Sequence, residues 1–181
     1  MTRKIINFVL FQTAWFSCVL SGAHQTPLIA VAVASAVIAI SLRMGRGNLC
    51  ADLRLLAVVG GIGFCIDSMN LLAGVFALNG SPWPMFICPP WLVLIWIVFG
   101  TTLRSSLGWL AGRYWLSAAL GAVAGAPSYF AGAKLGAVTM DGNWMFSAIA
   151  LTVTWAMVMP SMVWLAHGRY ADSARQTADR L

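Results

Sequence analysis

Asp67 is the side chain whose type and place most call for a chemical reason. It lies in the apolar run Gly63-Phe64-Cys65-Ile66-Asp67-Ser68-Met69-Asn70. Counting along that run puts it within about 2 Å of the middle of a membrane span. A charged group at such depth costs at least ~2.5 kcal/mol on insertion scales and is met by protonation, a partner or a wet cavity. Two basic residues are candidate partners. Arg104 lies roughly 5 Å to the cytoplasmic side of the middle of its own span, a gap a snorkelling arginine can bridge. Lys134 lies nearer the outer surface and is the weaker choice. Ser128 and Tyr129 fall near Asp67 in depth if their spans pack. Asn7, Asn70 and Gln12 read first as interhelical hydrogen-bond partners. Asp67, Arg104, Asn70, Ser128, Tyr129, Lys134 and Gln12 are therefore the candidates for a polar cleft. The competing reading is a buried Asp–Arg pair that only fixes helix register. Thr101, Arg104, Ser105 and Gly108 share one face, expected to line a cavity open to the cytoplasm.

Catalytic machinery is hard to assemble from the rest. The chain has five acidic residues. Asp52, Asp172 and Asp179 are expected on the cytoplasmic side and Asp141 outside, so no second carboxylate meets Asp67. No GxSxG elbow, HExxH helix or phosphate loop occurs. His24 and His167 fall at opposite ends of the membrane, and no CxxC spacing joins Cys18, Cys50, Cys65 and Cys88. No metal and no cofactor is expected. A Cys18–Cys88 disulfide near the outer face stays an open alternative.

The elements that position these residues follow from hydropathy. Hydrophobic residues make up 60% of the 181 and charged ones 9%, too little polar surface for a soluble domain. The reading is an all-α membrane protein, a single domain over 1–181. Its six transmembrane helices cover about 5–22, 27–42, 53–78, 91–111, 114–138 and 143–167, with a short cytoplasmic tail over 169–181. Of the eleven Lys and Arg, all but Lys134 gather at the N-terminus, the 2–3 loop, the stretch from Arg104 to Arg113, and the tail. That bias puts both termini in the cytoplasm. The basic residues form no patch interleaved with exposed aromatics, so the formal charge of +6 does not point to nucleic acid. Trp83, Trp91 and Trp144 are expected at the outer boundary. Trp109, Trp115, Trp164, Tyr114 and Tyr170 are expected at the inner one. Trp15, Trp96 and Trp155 read as core packing.

Two stripes of small residues suggest how the spans meet. Gly60, Gly63, Asp67, Asn70 and Gly74 recur at three- and four-residue steps on the third span. Gly121, Gly125, Gly132 and Gly136 do so on the fifth, where Pro127 is expected to kink the helix. Small faces let backbones approach, so spans three and five are expected to be neighbours. No internal similarity between residues 1–89 and 90–181 supports an inverted repeat.

Several phrases together resemble a bacterial inner-membrane family known only as a domain of unknown function. They are Phe11-Gln12-Thr13-Ala14-Trp15-Phe16; Pro90-Trp91-Leu92 with Trp96, Phe99, Thr102-Leu103 and Ser106-Leu107-Gly108-Trp109-Leu110; and the run from Gly121 to Ala137 around Pro127-Ser128-Tyr129. In that family glycine is expected before the proline, where this chain has Ala126. The resemblance implies an inner-membrane location and a shared fold. By association with enzymes that modify fatty acyl chains, it also implies a lipid-related role.

The expectation is thus a non-enzymatic membrane component that binds or moves a small or lipid-like molecule, or acts as a partner subunit or homo-oligomer. The cleft is expected between spans three, four and five. The alternatives are an intramembrane enzyme on lipid, with Asp67 as acid or base, and a scaffold whose polar centre is only architectural.

Overall fold

A computed structural model describes residues 2–45, 48–80, 83–140 and 143–168. Arg46, Asp141 and the tail with Tyr170, Asp172 and Asp179 lie outside the described residues. The elements run α1 (Thr2–His24), α2 (Pro27–Met44), α3 (Leu49–Leu72), β1 (Ala77–Leu78), α4 (Pro90–Leu103), α5 (Tyr114–Leu120), α6 (Ala126–Lys134), β2 (Val138–Thr139) and α7 (Trp144–His167). A 3-10 turn (Gly108–Leu110) precedes α5, and a π-helical turn (Gly121–Gly125) joins α5 to α6. The fold is therefore helical, as expected. α1, α2, α3 and α7 are each long and apolar enough to cross a membrane, which makes this a helical membrane protein. α4 is a shorter apolar helix, and residues 114–134 form one helical run in three parts.

Local chemistry sets the boundaries. Pro27 and Pro90 open α2 and α4, where a missing N–H costs nothing. Asn48 caps α3 by accepting from the Cys50 amide, and Asn143 caps α7 by accepting from Met145 and Phe146. Pro127 cannot donate to the carbonyl four residues back, and its ring crowds that carbonyl. The turn just upstream widens to the π form, a geometry that absorbs such a break. The expected kink is thus a π bulge.

Two spans end earlier than hydropathy suggests. α3 stops at Leu72, not Leu78, because Gly74 takes φ +68°. Its amide donates to Leu71 O, and that of Val75 to Asn70 O at 2.9 Å. This is a Schellman ending, so Gly74 is a cap and not a packing residue. Gly136, at φ +84°, ends α6 in the same way, with Ala137 donating to Gly132 O. The chain after each cap enters a two-residue strand, and β1 pairs antiparallel with β2, Ala77 opposite Thr139. The ladder ties the ends of α3 and α6 together. α4 ends at Leu103, not near Ala111, and Arg104 sits at its C-cap.

Packing departs from the expected contact of two glycine faces. α3 packs on α4, α1 on α2 and α4, and the 114–134 run on α7. A Cβ at Gly60 would meet Ile97 and one at Gly63 would fall within the Trp96 ring. One at Gly125 would enter the Trp155 ring, and one at Gly121 would strike the Trp155 backbone. Each stripe receives a tryptophan from another helix, and those two rings stack at 4.9 Å with planes 4° apart.

Arg3, Lys4, Asp52 and Arg104 line one pocket, and Arg104 Nε donates to Ala166 O at 2.9 Å. The start of α1, the end of α4 and the end of α7 therefore share one end of the bundle, here the basic end. The capping ladder marks the far end.

Candidate functional site

Asp67 is wholly buried, 0% exposed, and its carboxylate accepts three hydrogen bonds. Trp96 Nε1 donates to Oδ2 at 2.6 Å. Tyr129 OH donates to Oδ1 at 2.7 Å, and Asn70 Nδ2 reaches Oδ1 at 3.5 Å. α3 supplies Asp67 and Asn70 one turn apart, α4 supplies Trp96 and α6 supplies Tyr129. The missing side chain at Gly63 lets the Trp96 ring lie against α3, which brings its N–H to the carboxylate. Phe76, from the segment after the Gly74 cap, packs on Tyr129 with centroids 5.2 Å apart.

Arg104 does not meet Asp67, contrary to the expected pair. It stands eight residues beyond Trp96 on α4, about 12 Å further along the axis. Its Nη1 pairs with Asp52 Oδ1 at 2.8 Å, and its Nε binds the carbonyl of Ala166. α3 ends at Leu72, which shifts the depth of Asp67 from that expected. Asp67 lies five residues from that end, about 7.5 Å along the axis, and not at mid-span. Lys134 is exposed at the far end. Cys18 and Cys88 are buried and free, so no disulfide joins them.

In front of the Asp67 cluster lies a cleft of about 570 Å³. Its floor is α4 and α7 (Trp91, Trp96, Phe99, Trp155 and Met159). One wall is α1 (Phe8, Phe11, Gln12, Trp15, Phe16 and Val19). The other is the 114–134 run (Leu120, Ala124, Ser128, Tyr129 and Gly132). The expected cleft between spans three, four and five is thus displaced: α1 and α7 help form it, and α3 lies behind. Ser128, Tyr129 and Gln12 line it. Asp67, Asn70, Arg104 and Lys134 do not. Trp96 and Tyr129 form the partition, with one face in the cleft and the polar edge on Asp67.

The lining is apolar and aromatic, with few free polar groups. Ser128 Oγ donates to Gly125 O and Thr102 Oγ1 to Phe99 O. Ser106 Oγ donates to Asn7 Oδ1 at 2.9 Å. From Phe8 to Val19 the α1 wall runs about 16 Å along the helix axis.

A second pocket, about 410 Å³, opens at the basic end and is lined by Thr101, Arg104 and Ser105 with Arg3, Lys4 and Asp52. Gly108 lies outside it, in the 3-10 turn. Asn7, 3% exposed, also lines this pocket and spans the α1–α4 seam. Its amide nitrogen lies 3.4 Å from both Ser41 Oγ and Thr101 Oγ1. Trp96 is the site residue least visible in the sequence. A tryptophan inside a span reads as packing, whereas Asn7 takes the interhelical hydrogen-bonding role expected of it.

The fold is that of a small helical membrane protein with an aromatic cleft between its helices. Residues 4–161 match the family model described as "Protein of unknown function (DUF2878)", and the chain belongs to that family. No curated protein and no solved structure matches the chain.

Proposed function

We propose that this protein binds a single elongated apolar chain of a lipid-like molecule in the cleft between α1 and the 114–134 run. The observation that carries the reading is the shape and chemistry of that cleft together. Its volume is that of a small-molecule site. Its length of about 16 Å along the helix axis suits an acyl or isoprenoid segment. Its walls are aromatic rings and glycine-relieved backbone. Phe8 and Phe16 on the α1 wall are exposed, and in this reading a ligand enters beside them from the bilayer.

In this reading the chain crosses the inner membrane six times, with α4 and the 114–134 run completing the set. The basic end faces the cytoplasm, because Arg3, Lys4, Arg43, Arg54, Arg104 and Arg113 follow the positive-inside bias. Asp67 orients the Trp96 and Tyr129 partition and does not act on the ligand, since no part of it reaches the cleft. That favours a binding component over a lipid-modifying enzyme.

The test uses the tryptophans already in the wall. Purified protein is titrated with a fatty acid brominated along its chain, and intrinsic fluorescence is followed. Saturable quenching that is lost in Ala124→Trp, which fills the cleft, supports the reading. Quenching of equal depth and midpoint in both proteins refutes it.

A further inference from the structure

We propose that the pocket at the basic end, lined by Arg3, Lys4, Asn7, Ser41, Thr101 and Arg104, binds the phosphate of an anionic phospholipid headgroup. This site is separate from the apolar cleft and does not rest on it. Three cations line the pocket against one carboxylate, and that carboxylate, Asp52, is already paired with Arg104. Among the described residues no carboxylate forms an ion pair with Arg3 or Lys4. Both stand in the first turn of α1, which has no acidic residue. The amide ends of a helix carry partial positive charge there, so cations are unfavourable without an anion nearby. A phosphate between them relieves both repulsions.

The deeper wall is polar and organised. Asn7 Oδ1 accepts from Ser106, its Nδ2 donates toward Ser41 and Thr101, and Thr101 Oγ1 donates to Val98 O, which leaves the Ser41 hydroxyl as the donor behind the cations. Arg104 is fixed by Asp52 and the Ala166 carbonyl. A fixed polar wall below two exposed cations suits a tetrahedral anion at the membrane surface. Phosphate chemistry is common to a lipid headgroup and to free phosphate. The position at the end of the bundle, where α1 and α2 present lipid-facing flanks such as Ile5 and Ile40, both exposed, favours the lipid.

The test is thermal unfolding of the full chain in zwitterionic detergent micelles, titrated with short-chain phosphatidylglycerol, phosphatidylcholine or inorganic phosphate. The phosphatidylglycerol titration is expected to raise Tm saturably, with phosphatidylcholine and inorganic phosphate well behind. Removing Arg3 and Lys4 together (R3Q/K4Q) should weaken the midpoint about fivefold per charge. R3K/K4R should restore it, and Arg43→Gln, outside the pocket, should leave it unchanged. Equal responses to the two lipids, or an unchanged midpoint in R3Q/K4Q, overturn the proposal. Inorganic phosphate matching phosphatidylglycerol overturns the assignment to lipid. Arg3 and Lys4 are exposed, so their replacement leaves the packed core intact.

Discussion

Asp67 and Tyr129 hold the same place on two different helices, and their side chains meet. Each stands seven residues before a capping glycine, Gly74 or Gly136. The hydrogen bond of 2.7 Å joins positions 62 residues apart in the chain. The antiparallel ladder beyond the two caps holds the helix ends in register, so that bond is specified twice, by the ladder and by the side chains.

Asp67→Asn should destabilise the protein by about 1–3 kcal/mol. Trp96 and Tyr129 donate to opposite carboxylate oxygens, and an amide offers an acceptor to only one of them. Tyr129→Phe removes a single bond and should cost about 1 kcal/mol, within the range for interhelical bonds in membranes. Thermal unfolding of the two single variants and the double variant measures the coupling. Strict additivity would show that the pair does not act together.

Gly63→Ala and Gly125→Ala should each cost about 1–3 kcal/mol, because a Cβ there overlaps an indole ring and the stack must move. Gly61→Ala has nothing within 4 Å of the added atom and should be neutral or slightly stabilising. Equal behaviour of Gly61→Ala and Gly63→Ala in unfolding would contradict the packing described.

Asp52→Asn should loosen the basic end, where Arg104 joins the start of α3 to the end of α7. Both side chains are partly exposed, at 26% and 19%, so the loss should be no more than about 1 kcal/mol and should shrink in high salt. Unfolding at two ionic strengths checks the sign. A loss that grows with salt would point away from an ion pair.

Cys50 is exposed at the start of α3, whereas Cys18 and Cys88 are buried. In sealed vesicles a membrane-impermeant maleimide should label Cys50 only when the cytoplasmic face is accessible. Labelling of Cys50 from the outer face would reverse the proposed orientation.

The helices and the polar position of Asp67 were legible because apolar length and the cost of a buried charge are properties of the residues themselves. The closeness of Asp67 and Tyr129 was legible only on condition that their two spans pack, and the structure brings the side chains together. What failed depended on where helices stop. Gly74 fits a packing stripe and an αL cap equally well as a letter, and only the backbone distinguishes them. The apolar run continues past Gly74 to Leu78, and that hydropathy lengthens the expected α3, sets Asp67 at mid-span and brings Arg104 within apparent reach. The glycine faces of α3 and the 114–134 run failed for a related reason. A surface without Cβ atoms admits an indole ring as readily as another backbone. Trp96 and Trp155, expected only as filling, became the stacked floor of the cleft, with Trp96 also donating to Asp67.

An apolar chain seated in the proposed aromatic cleft should survive gentle extraction of the protein. Native mass spectrometry of the protein extracted in mild detergent tests it most directly, comparing the unaltered chain with Ala124→Trp. A one-to-one lipid-like adduct is expected on the former and is lost from the latter while the folded mass envelope is kept. The same adduct on both proteins, or none on either, would contradict it.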